Sequence, residues 1–117
     1  MNRSDLQSIP GWHCVQEAQT DAPVRAGYTS DLLSDVMAHA PEDSVLITIQ
    51  GHANTVAVAT LAGIGAIVVC NGRPLPADMI AAARREGIAL WSAQDNQFNA
   101  SVKLHAHLNR DPEPAQE

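Results

Sequence analysis

The sequence predicts an α/β fold, a compact and mostly parallel sheet flanked by helices. Three observations lead to it. Val45–Ile49, Gly65–Cys70 and Ile88–Trp91 are short apolar runs without polar alternation, as expected of strands covered on both faces. Ala-rich segments separate them, and Gly63 and Gly87 stand where a helix would hand over to a left-handed C′ residue. Strand, helix, strand, helix, strand, helix is the order that builds a parallel sheet, so these three runs are expected to lie side by side and parallel.

The elements follow in order. Residues 1–11 are polar and expected to be poorly ordered. Trp12 to Glu17 reads as a short first strand, Thr20 to Pro23 as a turn by its Asp-Ala-Pro chemistry, and Val24 to Tyr28 as a second extended piece. Thr29-Ser30-Asp31 offers capping hydroxyls and an acid at a positive helix end. Leu32, Leu33, Val36, Met37 and Ala40 then share one helical face until Pro41 stops the helix. After the first buried run, Gly51-His52-Ala53-Asn54 breaks the chain, and a helix is expected from about Thr55 to Ala62. Asn71-Gly72-Arg73-Pro74 turns the chain after the second run. A third helix spans Ala77 to Glu86, with Pro76 at its start. Ser92 to Asn96 leads into a last helix ending near Leu108. Residues 109–117 form an acidic, Pro-broken tail expected to be disordered, which leaves residues 12–108 as one domain.

Composition bounds the function. The 117 residues fit one domain, and 3% aromatics leave the core to Val, Ile, Leu, Ala and Met. A formal charge of -6 argues against a nucleic-acid footprint, and Arg84-Arg85 reads as an ordinary solvated helix face. No apolar run reaches the length of a membrane span, and Met-Asn-Arg-Ser-Asp at the start lacks a signal-peptide core, so a cytoplasmic location is expected. Cys14 and Cys70 belong to no Cys-x-x-Cys unit and are expected to be free thiols.

Ligands of open α/β sheets sit beyond the carboxyl ends of the strands. The first such end carries Gln50, Gly51, His52 and Asn54, the second Asn71, Gly72 and Arg73, and the third Ser92, Gln94 and Asp95. Free N–H groups at the following helix starts favour an anion, Arg73 adds a full positive charge, and His52 adds a switchable donor. The expected ligand-binding set is therefore Gly51, His52, Asn54, Asn71, Gly72, Arg73 and Ser92. These are also ordinary loop and cap residue types, so the pattern alone is not specific. His52 has a second reading, as a phosphate-accepting or acid–base residue. His105 and His107, two apart, do not share a helical face, and no metal site or cofactor is expected. No Walker loop, G-x-S-x-G or H-E-x-x-H occurs, so no catalytic residue is assigned.

Two stretches resemble a known family. Gly27-Tyr28-Thr29-Ser30-Asp31-Leu32-Leu33-Ser34-Asp35-Val36-Met37 is similar to the signature of stand-alone DRTGG-domain proteins, and Ile47 through Ile88 resembles the rest of that domain. The similarity extends over Trp12 to Leu108. It implies a fold similar to the N-terminal domain of HPr kinase/phosphorylase, a regulatory or dimerising role, and a partner among hydrogenase-like or other redox proteins. The chain departs from the family at its naming residues. His52-Ala53 stands where an Asp-Arg pair is expected, and Cys70-Asn71-Gly72 stands for Thr-Gly-Gly, with only Gly72 retained. The phosphate-loop domain that carries HPr kinase activity has no counterpart in these residues. The reading is a non-catalytic regulatory or assembly module, a homodimer binding a small anionic ligand or a redox protein. The alternative is a small enzyme or phosphocarrier centred on His52.

Overall fold

A computed structural model describes residues 1–110. A 3₁₀ helix (Arg3–Ser8) precedes β1 (Trp12–Gln16), β2 (Ala26–Thr29), α1 (Leu33–His39), β3 (Ser44–Thr48), α2 (Ala53–Ala62), β4 (Ala66–Val69), α3 (Ala77–Glu86), β5 (Ala89–Ala93) and α4 (Gln97–Leu108). The strands form one five-stranded sheet in the order β1-β5-β4-β3-β2. β2, β3, β4 and β5 pair in parallel, with Val45 opposite Ala66 and Ala66 opposite Ala89. The three apolar runs are thus neighbouring parallel strands, as their composition predicts. β1 alone is antiparallel, against β5, with an irregularity between Cys14 and Gln16.

Side chains alternate across the sheet into two cores, which accounts for the missing polar alternation. Val45, Ile47, Val68, Cys70, Trp91 and Ala93 face the layer made by the 3₁₀ helix and α4. Leu46, Ile67, Val69 and Leu90 face α1, α2 and α3, through Val36, Val56, Ala59, Met79 and Ala83. Gly63 and Gly87 end α2 and α3 in the left-handed region, at φ 76° and 73°. No described helix is long and apolar enough to cross a membrane.

Two expectations need correction. The start of the chain, expected to lie outside the domain, packs into it: Leu6 and Ile9 are buried in the first core, and Asn2 bridges to Pro23. The polar residues around these two side chains hid them, because two apolar positions in so short a 3₁₀ segment carry no amphipathic signal. The apolar face read for α1 is also only partly inward. Val36 is buried, whereas Leu32 and Met37 are 64% and 43% exposed. The helix starts later than its capping residues suggested, with Leu32 at the N-cap and no side-chain cap bond. The tail read as disordered lies, from residue 111, outside the described residues.

Candidate functional site

Four parallel strands deliver their following loops to one edge of the sheet. The loop after β3 is tied down at several points. The Thr55 hydroxyl donates to the Gln50 carbonyl at 2.9 Å, the Gln50 N–H donates to Thr48 Oγ1 at 3.1 Å, and Gln50 Nε2 donates to the Asp31 carbonyl at 3.1 Å. Gly51 then passes so close to the next loop that a Cβ there would lie 2.9 Å from the Pro74 carbonyl. The rim residues after β3 and β4 are therefore in contact, and a side chain at position 51 would push them apart.

His52 is the N-cap of α2, extended at φ -136° and exposed, with no side-chain bond to the helix. The N–H groups of Ala53 and Asn54 find no acceptor among the described residues, which leaves the positive end of α2 open at the rim. Asn71 and Gly72 are both left-handed, at φ 63° and 61°. Their N–H groups are already committed, to the Asp95 carbonyl at 2.8 Å and the Ala93 carbonyl at 2.9 Å. The second loop consequently offers side chains, not backbone donors. α3 begins only at Ala77, beyond Pro74-Leu75-Pro76, so its N-terminus does not sit directly behind Arg73. Arg73 is exposed and has no ion-pair partner among the described residues. Ser92 lies inside β5, paired with Val69 and His13, and not in the loop. From the third loop it is Gln94 that reaches the rim, where its amide packs against Gly72.

The residue that organises this edge was not singled out by the sequence. Asp31 Oδ1 accepts from the Thr48 hydroxyl, the Ile49 N–H and Gln97 Nε2, each at 2.9 Å. It joins the ends of β2 and β3 to the first turn of α4. In sequence it looked like a helix-dipole acid, and its partners, 17 to 66 residues away, leave no local trace. Nearby, burial first and then the charges of Asp95 and Asp31 push the Cys70 thiol up to about 11. The edge thus carries carboxylates beside its one arginine. Asp95 is paired with Lys103 Nζ at 2.8 Å.

A second polar group lies near β2. The Tyr28 hydroxyl donates to Asp35 Oδ2 at 2.8 Å, and His39 Nδ1 stands 3.1 Å from Asp35 Oδ1. The Tyr28 bond, then Ser30, with His39 also contributing, hold the Asp35 carboxyl below its usual range, and the same bond to Asp35 pushes the Tyr28 hydroxyl up. This trio braces β2 against α1 at the surface. His105 and His107 diverge, with His107 Nδ1 3.0 Å from the Lys103 carbonyl and His105 facing Asn109. Among the described residues no three His, Cys, Asp or Glu side chains gather as a metal site would require.

Two concavities lie away from the rim. One, of about 620 Å³, opens between the 3₁₀ helix, β1 and the 17–21 segment over Trp12 and Trp91. The other, of about 380 Å³, is an apolar groove between β2 and α4, bordered by Gly27, Phe98, Val102 and Leu108. Neither contains a residue of the predicted set.

No protein-family model matches the chain, and no curated protein matches it. Among solved structures it is similar to the crystal structure of the CBS and DRTGG domains of the regulatory region of Clostridium perfringens pyrophosphatase, complexed with the activator diadenosine tetraphosphate. The superposition has a TM-score of 0.69 at 11% sequence identity and covers 86% of this chain and 44% of that one. The chain therefore spans less than half of that protein's structure, and what the two share is a fold.

Proposed function

We propose that this chain is a non-catalytic regulatory or assembly module whose carboxyl edge takes a small anionic, phosphate- or nucleotide-like ligand, and which works as a homodimer. The observation that carries the reading is the contact of Gly51 with the Pro74 carbonyl, which fixes the open N-terminus of α2 beside the loop that bears Arg73. Two free N–H groups, a helix dipole and one guanidinium then point to negative charge. The likeness in fold to a regulatory region crystallised with a nucleotide activator supports the class of function. Asp31 and Asp95 limit where an anion sits, because both oppose it; Asp31 Oδ1 already holds three donors and Asp95 holds Lys103. The site is thus the outer rim, at Gly51, His52, Asn54 and Arg73, with Asn71 and Gly72 shaping it and Ser92 behind it.

Calorimetric titration of inorganic phosphate, pyrophosphate and adenine nucleotides tests this reading. Arg73→Ala is expected to weaken binding by about 1.5–3 kcal/mol, the range for a hydrogen bond to a charged group, with the fold intact. No binding to the wild type across the panel overturns the anion reading. Equal binding by both proteins moves the ligand elsewhere.

Exposed apolar side chains favour a second reading, assembly without a ligand. Phe98 and Val102, 74% and 51% exposed, border the β2–α4 groove, beside a β2 strand paired on one side only. A second copy, or the hydrogenase-like redox partner that the family resemblance implies, would cover them. The alternative centred on His52 requires an orienting group, and among the described residues its ring has no hydrogen-bonded carboxylate. A phosphohistidine detected at His52 by mass spectrometry after phosphoryl-donor treatment would revive it.

A further inference from the structure

The chain has only four aromatic residues, two of them tryptophans, and both tryptophans floor the same 620 Å³ cavity. Trp12 and Trp91 lie on adjacent antiparallel strands, two pairs apart in register and so diagonal neighbours on one face, with Cys14 directly opposite Trp91. Each is 5% exposed, and the indole N–H of each is closed to water and without a hydrogen-bond partner among the described residues. A buried donor of this kind is normally paired, so two in one place call for an acceptor.

The rest of the wall fits the same demand. Arg3 lies flat against Gly65, where a Cβ would collide with its guanidinium, and donates to the Thr20 carbonyl. Gln7 and Gln19 add amides, and the Asp21 carboxylate is occupied by the Ser4 N–H and hydroxyl. One arginine against Glu17 and Asp21 leaves no surplus of positive charge, which disfavours a phosphate here. The volume is that of a small-molecule site, about 300–1,000 Å³. We infer that this cavity binds a flat, uncharged heteroaromatic molecule of nucleobase or nucleoside size, laid over Trp12 and Trp91 and offering ring acceptors to the indole N–H groups. Those atoms are covered, so entry requires a shift of the long lining side chains, among them Gln7 and Glu17. The site is separate from the carboxyl-edge rim and does not depend on it.

The two tryptophans make emission a direct reporter, and Cys14 supplies an independent one. Cys14 is exposed at the cavity wall, whereas Cys70 is buried. The experiment titrates adenosine, inosine and caffeine into the full chain. It follows absorbance-corrected tryptophan fluorescence and the rate of Cys14 alkylation by N-ethylmaleimide, with peptide mapping to confirm the modified thiol. The expected result is a saturable emission change with at least one probe, and alkylation slowed about tenfold at ten times its Kd. Protein alkylated beforehand at Cys14 should lose the response, and Arg73→Ala should keep it. Absence of both signals with all three probes overturns the proposal. So does an emission change that survives alkylation or leaves the Cys14 rate unaltered. Tighter binding of the 5′-monophosphate than of adenosine, with the gain lost in Arg73→Ala, also overturns it by placing the ligand at the rim.

Discussion

Asp31 shows how one side chain holds a whole edge. Its Oδ1 takes the buried Thr48 hydroxyl, the Ile49 N–H and the Gln97 amide together. Asp31→Ala strands a fully buried hydroxyl and a strand-end N–H, so urea unfolding should show a loss of about 2–3 kcal/mol. A change under about 0.5 kcal/mol, the range of an ordinary surface substitution, would show that the node is dispensable. Tyr28 gives a prediction in pH. The folded pKa of Asp35 is depressed, so its bond to Tyr28 contributes stability that is present above the ordinary carboxylate value and lost as pH falls through the lowered one. The folded Tyr28 pKa is raised, so its share is present below the ordinary tyrosine value and lost as pH climbs through the raised one. The stability gap between wild type and Tyr28→Phe should therefore be flat between pH of about 5 and 9, and close outside that window. A gap constant down to pH of about 2 would contradict the bond.

At the scale of elements, the opening 3₁₀ helix is part of the core. Leu6→Ala should cost about 2–4 kcal/mol in chemical denaturation, the range for a buried leucine, whereas a disordered segment would lose nothing. The crossing of the two rim loops gives a second test. Gly51→Ala drives a Cβ into the Pro74 carbonyl, a backbone atom that cannot swing aside, and should cost about 1–3 kcal/mol. If the rim binds an anion, the same variant should weaken it. The parallel strands were legible because β3, β4 and β5 are apolar on both faces and flanked by glycine-ended helices. α3 was legible to the residue, because Pro76 and Gly87 mark its limits. The antiparallel pairing of β1 was not legible, since Trp12–Gln16 carries no signal of its partner, β5, more than seventy residues on. Much of the site was hidden for the same reason. Loop residue types place Gly51, His52 and Arg73 at the edge. Only the folded chain reveals that the Asn71 and Gly72 amides are spent, that Ser92 belongs to the strand, and that Asp31 and Gln97 converge there.

For the molecule as a whole, the exposed apolar side chains lie on both helical layers, with Leu32 and Leu61 on one and Phe98 and Val102 on the other. The proposed homodimer is expected to use the β2 edge and the α4 groove, where an open strand and apolar side chains coincide. Light scattering at high micromolar concentration should give twice the chain mass of 12.4 kDa, and Phe98→Asp should halve it. A wild-type monomer would refute self-association. The antiparallel strand at the sheet's far edge has a different consequence, one of timing. β1 is the first strand made, yet among the described residues its only partner in the sheet is β5, and the Pro10 carbonyl beside it accepts from Lys103 in α4. During synthesis, Trp12 therefore waits uncovered while most of the domain leaves the ribosome, and closure of the first core comes as one late event. Such a long wait favours slow folding and leaves the nascent segment open to chaperone capture.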